Sequence, residues 1–260
     1  MNIMQCEATN SLIRLYQKGL QLDWMGVPGG SVSRWLTVPE MMAVQSELDF
    51  NSTEYVPLLL DVPELARECF MYCCPGDNLH LESSGFESVS TKILQVAATG
   101  DRCRVLWENG EPNRSPLEIS MHIASHSSHA VGQGSVVYHC QPINTMALVA
   151  LAEGDAESLM SQLKKGYAAI INILPDGLGI IPWGMTKPLR HGERLSQEVL
   201  DSMKKFVGEI GKEIRSQEAL ILRGEGLICA SAGEREVFNI ITAIERASSI
   251  RLKILSAGGE

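Results

Sequence analysis

The stretch Val136-Val137-Tyr138-His139-Cys140-Gln141 reads as a buried strand that delivers one histidine where two would make a metal site. Alternate side chains of a strand share a face, so His139 and Gln141 point one way and Cys140 the other. An H-x-H pair there would be a divalent-metal signature. H-x-Q is half of one, because a neutral amide is a poor zinc ligand beside an imidazole. Upstream, Ser115 and Pro116 carry the marks of a helix start, and Glu118, His122 and His126 follow at one-turn intervals. With His129 they have the spacing of a helix-borne metal site, while the plainer role for these histidines is packing and hydrogen bonding between helix and sheet. His80 and His191 stand apart from both groups.

These residues must be held by a larger frame. Leu12, Leu15, Tyr16 and Gly19 predict a helix over 7–20, followed by a turn at Gly29-Gly30 and a strand over 32–37. Apolar runs predict strands over 56–62, 69–74, 93–98 and 102–107, the last two joined by the hairpin turn Thr99-Gly100-Asp101. Two helices are expected between Ile143 and Lys165, then a strand from Ala168 to Leu174 and a turn-rich loop to Trp183. Leu195, Val199, Met203, Phe206, Val207, Ile210 and Ile214 form the stripe of a long helix. Strands over 219–223 and 227–230 precede a final helix, whose start is expected at Ser231 with Glu234 three residues on. The pattern predicts an α/β fold with three α/β/α layers around a central, largely antiparallel sheet. With no repeat or Pro/Ser/Gly-rich linker, residues 1–260 are expected to form one domain.

A net charge of -9 gives no basic face for nucleic acid or an anionic membrane, and neither is an expected partner. Arg34, Arg104, Arg114 and Arg223 are the candidates for any local basic pocket. Seven cysteines, an odd number and scattered, do not form a secreted disulfide framework. Cys73 and Cys74, adjacent on a strand, should point to opposite faces as small buried residues. The first residues carry no basic leader, and no run reaches the roughly 18 apolar residues of a membrane span, so a reduced cytoplasm is the expected compartment. Neither a G-x-S-x-G elbow nor a dinucleotide fingerprint is present.

In the order of Glu118 on a helix, His139 on a strand, and the loop Leu174-Pro175-Asp176-Gly177-Leu178-Gly179-Ile180-Ile181-Pro182-Trp183, the chain resembles the class II aldolase/adducin family from about Leu12 to Gly259. The resemblance implies the same layered fold, a four-fold homotetramer with sites between subunits, and a small-molecule sugar phosphate as ligand. It also implies zinc on three histidines, whose positions here read His139, Gln141 and Arg223, with Glu118 as the proton-transfer group. A guanidinium cannot ligate a metal, so zinc is not expected at the usual place. Arg223 either supplies the missing positive charge or pairs with Glu118. The family's phosphate turn appears as Pro28-Gly29-Gly30-Ser31, keeping the glycines that let amides approach an anion. A second glycine-rich loop appears as Cys74-Pro75-Gly76-Asp77, where the aspartate is the wrong charge for a phosphate, and a further acidic position reads Ala169. The resemblance thus offers two functions. One is a lyase for a ketose 1-phosphate that uses Glu118 with Arg223, and the other is a non-catalytic sugar-phosphate-binding or partner subunit.

Overall fold

The computed structural model describes residues 2–25, 30–75, 89–110, 115–129, 134–152, 155–182 and 196–259. In chain order they form α1 (Glu7–Gln21), β1 (Ser31–Trp35), α2 (Val38–Val44), β2 (Tyr55–Pro57), β3 (Cys69–Pro75), β4 (Val89–Val96), β5 (Arg102–Asn109) and α3 (Pro116–His126). There follow β6 (Val136–Cys140), α4 (Ile143–Leu151), α5 (Ala156–Gly166), β7 (Gly179–Pro182), α6 (Gln197–Glu213), β8 (Ala219–Arg223), β9 (Gly226–Ser231) and α7 (Glu234–Ser256). The nine strands make one sheet in the order β2-β5-β4-β3-β1-β6-β9-β8-β7, antiparallel throughout except for the β7–β8 pair at one edge. Helices α1, α4, α5 and α7 gather on one face and α3 with α6 on the other, which is the expected three-layer α/β/α arrangement.

Strand β6 shows how the sequence pattern sorts the two faces. Val136, Tyr138 and Cys140 enter the core beneath α1 and α7, whereas Val137 enters the core shared with Met121 and Ala124 of α3 and with Phe206 and Ile210 of α6. His139 falls on the α3 side by the same alternation. Cys73 and Cys74 are both buried on β3 and also divide between the faces, Cys73 in the α1/α7 core and Cys74 with Trp35 and Phe70. All seven cysteines are free and buried.

Three expectations need correction. Ala168 to Leu174 is not a strand: Ala168–Asn172 is a short 3-10 helix, closed by hydrogen bonds from Ile170 to Tyr167 and from Ile173 to Ile170. A short, mostly apolar run of seven residues does not distinguish these outcomes. Ser231 does not cap the last helix, because it remains in β9 paired with Val136; an extended Gly233 is the N-cap. The loop before Trp183 contains β7, in parallel register with β8 from Gly179↔Leu220 to Pro182↔Arg223.

The outer helices are tied together by a buried-edge acid. Glu245 of α7 accepts hydrogen bonds from the backbone amides of Asn144 (3.0 Å) and Thr145 (2.8 Å), and from their side chains at 2.6 and 2.7 Å. It thereby serves donors that Pro142, the N-cap of α4, has no side chain to satisfy. Glu245→Ala should lower the unfolding free energy by about 2 kcal/mol in a urea titration. A variant as stable as the parent would show that α4 does not depend on this cap.

Candidate functional site

Beneath α3, the polar residues of three elements meet. Pairing of β1 with β6 sets Ser31 opposite His139 and Ser33 opposite Val137, so both serines face the helix beside the histidine. Ser115 caps α3 by accepting from the Glu118 amide, and Pro116 opens the first turn. One-turn spacing then brings Glu118, His122 and His126 down onto those strands.

The closest contact joins the strand to the helix: His139 Nδ1 lies 2.7 Å from Glu118 Oε1. The same oxygen accepts from the Ser31 hydroxyl, and His122 Nε2 stands 3.9 Å away. Burial opposes ionisation of Glu118, but the charge and hydrogen bond of His139, aided by His122 and Ser31, outweigh it and hold its pKa down to about 2. Burial likewise opposes charging of His139, and attraction to Glu118, with a smaller contribution from Glu225, raises its pKa above the ordinary value. Both shifts favour the imidazolium–carboxylate form of the pair. Glu118 keeps 21% of its side chain exposed, so the carboxylate is in contact with solvent while His139 is buried.

His139 Nε2 is buried and makes no hydrogen bond. It lies against Gly226, where an added Cβ would come to 3.0 Å from it. Gln141 turns its amide nitrogen to the Glu225 carbonyl, at 2.8 Å. Glu225 is half-buried; its pKa is raised by burial and by repulsion from Glu118, against the attraction of His139. Its involvement has no sequence signal beyond its place in the turn between β8 and β9.

The two remaining helix histidines do what interface histidines do. His122 Nε2 and Nδ1 contact Ser31 and Ser33, each at 2.7 Å, and His126 Nε2 and Nδ1 contact Ser33 at 2.7 Å and Ser135 at 2.6 Å. Burial drives the pKa of His122 down to about 3 and that of His126 well below the ordinary value, so both rings are neutral. Tyr72 crosses the edge of His122 at 5.3 Å between ring centres, and Phe70 lies 4.9 Å from His126.

Of the other predicted site residues, Gly30 and Ser31 open β1 beside His139, and Gly30 is so close to the His139 carbonyl and to Met25 that no side chain would fit. Arg223 is exposed at the end of β8. Gly29 and Gly76 lie outside the described residues, as do Arg114, Asp77, His80, His191 and Trp183. Arg34 is committed elsewhere, to Glu40 at 2.7 Å and Glu234 at 2.5 Å, and Arg104 packs on Tyr55. Neither builds a basic pocket. Among the described residues, no three of histidine, cysteine, aspartate and glutamate are arranged to hold a metal ion, and no helix is long and apolar enough to cross a membrane.

No family model matches the chain. Its relatives include rhamnulose-1-phosphate aldolase of Escherichia coli O6:H1, 24% identical over 99% of this chain and 89% of the relative. The enzyme of that name from Pectobacterium atrosepticum is 25% identical over 91% of this chain and 81% of its own length. Among solved structures, a sugar-phosphate aldolase from Thermotoga maritima superposes with a TM-score of 0.64 at 16% identity, covering 95% of this chain and 94% of that one. L-fuculose-1-phosphate aldolase from Thermus thermophilus superposes with a TM-score of 0.52 at 11% identity, covering 96% of each. The chain therefore has the fold of the class II aldolases, and over nearly its whole length it is similar to rhamnulose-1-phosphate aldolases.

Proposed function

We propose that this protein binds a ketose 1-phosphate or a closely similar sugar phosphate on an aldolase scaffold without running zinc-dependent aldol cleavage. The carrying observation is the 2.7 Å contact between His139 and Glu118. Cleavage of a ketose 1-phosphate needs an electrophile for the enediolate and a carboxyl group free to move protons. A carboxyl held at about 2 is a weak base at neutral pH, and this one is already spent on the imidazolium beside it.

The family's zinc does not fit the donors present. His139 offers one nitrogen, Nε2; the amide nitrogen of Gln141 faces the Glu225 carbonyl, and Arg223 is a cation. Zinc would have to be held by a single imidazole. The features that support ligand binding are of another kind. The buried Nε2 of His139 has no hydrogen-bond partner and, when protonated, would donate to a ligand oxygen, and Gly226 is required beside it because a side chain would meet the Cys140 carbonyl and the ring. Gly30 and Ser31, at the start of β1, keep part of the turn that the family uses near phosphate. The named activities of the full-length relatives supply the substrate class. Assembly into a homotetramer belongs to the same reading.

Two outcomes are expected. Calorimetric titration with L-rhamnulose 1-phosphate should show saturable binding, while product analysis of the same mixture shows no aldehyde or dihydroxyacetone phosphate; cleavage by the native chain that is lost on chelation and restored by zinc would end this reading. The second concerns pH. Glu118 has a lowered folded pKa, so its contribution is present above about 4.5 and lost as pH falls towards about 2. His139 has a raised one, so its contribution is complete below about 6.5 and lost as pH rises through the folded value. The stability advantage of the native chain over Glu118→Gln should therefore peak between about pH 4.5 and 6.5 and shrink on both sides. An advantage that is flat with pH in urea unfolding would show that the two groups are not an ion pair.

A further inference from the structure

Helix α7 presents one continuous buried face, lined by Val237, Ile240, Ile241, Ile244 and Ala247, which turns polar at Ser248 and Arg251. On a core-facing stripe a charged residue is out of place unless it is paired. Ser248 is fully covered, and Arg251 is only 3% exposed. Helices α5 and α7 approach so closely here that a Cβ on Gly166 would collide with the Ala247 carbonyl and lie 3.1 Å from the Arg251 Cβ. The Arg251 side chain reaches α5, where its Nε donates to Gln162 Oε1 at 2.6 Å.

That contact leaves most of the guanidinium unanswered. Its Nη1 is buried without a partner, and so is the hydroxyl of Ser248, one turn earlier on the same face of the helix. Gln162 is an amide and neutralises nothing, and among the described residues no carboxylate pairs with Arg251. A guanidinium cannot shed its charge inside a protein, so burial leaves both an uncompensated cation and donors with no acceptor. A water molecule does not meet both needs, because it brings no charge and has protons of its own to place. A small anion meets both: it accepts from Nη1–H and from the hydroxyl, and its charge cancels that of the guanidinium.

We propose that Arg251, with Ser248 beside it, binds a small inorganic anion of the size of chloride between α5 and α7. The two unplaced groups are both donors, which fits an anion and no cation. The close approach of the helices at Gly166 limits the occupant to very few atoms and excludes a sugar phosphate. The anion ties the two outer helices together by completing the pairing of a buried charge that both enclose. None of these residues belongs to the site at Glu118 and His139, so the proposal stands or falls independently of what that site binds.

The test is thermal unfolding of the full-length native chain, followed by circular dichroism, as potassium gluconate is replaced by potassium chloride at constant ionic strength and pH. Gluconate is too large for the space, so chloride should raise the midpoint saturably, by about 3 °C. Arg251→Met keeps the length of the side chain and removes its charge and donors, and it should lose the chloride response. A native midpoint that is the same in both salts overturns the proposal. A response that Arg251→Met keeps in full overturns it too, because it would mark a general salt effect or an adventitious ion elsewhere. Ser248→Ala gives a reading that does not require the methionine variant to fold: it keeps the charge and removes one donor, so the chloride concentration at half-effect should rise several-fold. An unchanged half-effect concentration in that variant contradicts the shared site.

Discussion

A buried polar group must find its partner inside the protein or lose the water it gave up, and the seam between α3 and the sheet is organised by that requirement. Glu118, His122, His126, His139, Ser31, Ser33 and Ser135 come from one helix, two strands and the residue before the second strand, and each bonds another member, though His139 Nε2 is left without a partner. The contact between His139 and Glu118 anchors the set. It supplies the charge compensation that favours an ionised carboxylate under a helix. Beside this seam lie two separate apolar clusters that share residues of α3, with Tyr72, Phe70 and Trp35 on the aromatic side.

In the proposed function, the same contact is what separates the fold of the class II aldolases from their chemistry. The class II aldolase fold depends on sheet order, on alternation along strands such as β6, and on the helix layers, all of which survive low sequence identity. Metal chemistry depends on a few donors. With Gln141 and Arg223 at two of those positions, the remaining histidine turns its Nδ1 to the carboxylate that would otherwise handle protons. What is left is a buried ring nitrogen, His139 Nε2, without a hydrogen-bond partner and packed against Gly226.

Much of this was legible in the sequence. The period-two pattern of Val136 to Cys140 assigned His139 and Cys140 to opposite faces, and one-turn spacing set Glu118, His122 and His126 on one side of α3. The helix-sheet role of His122 and His126 followed from the same spacing. Ser31 and Ser33 could not be read in this way, for Ser33 above all: a serine in a strand carries no signal until the β1–β6 register sets it beneath a histidine. The pairing of Glu118 with His139 was hidden for the same reason, being a contact across 21 residues between different elements. The misplaced strand at Ala168 and the misplaced cap at Ser231 were local ambiguities: a short apolar run, and a serine whose strand pairing took precedence over capping.

The central claim is that the His139–Glu118 pair stands where the family keeps its metal, and the metal content of the purified native chain tests it most directly. After brief dialysis against a weak chelator that leaves tight sites filled, elemental analysis should find zinc and other transition metals far below one per chain. Near-stoichiometric metal would contradict the account, because it would require His139 to have left Glu118 for partners that these residues do not provide.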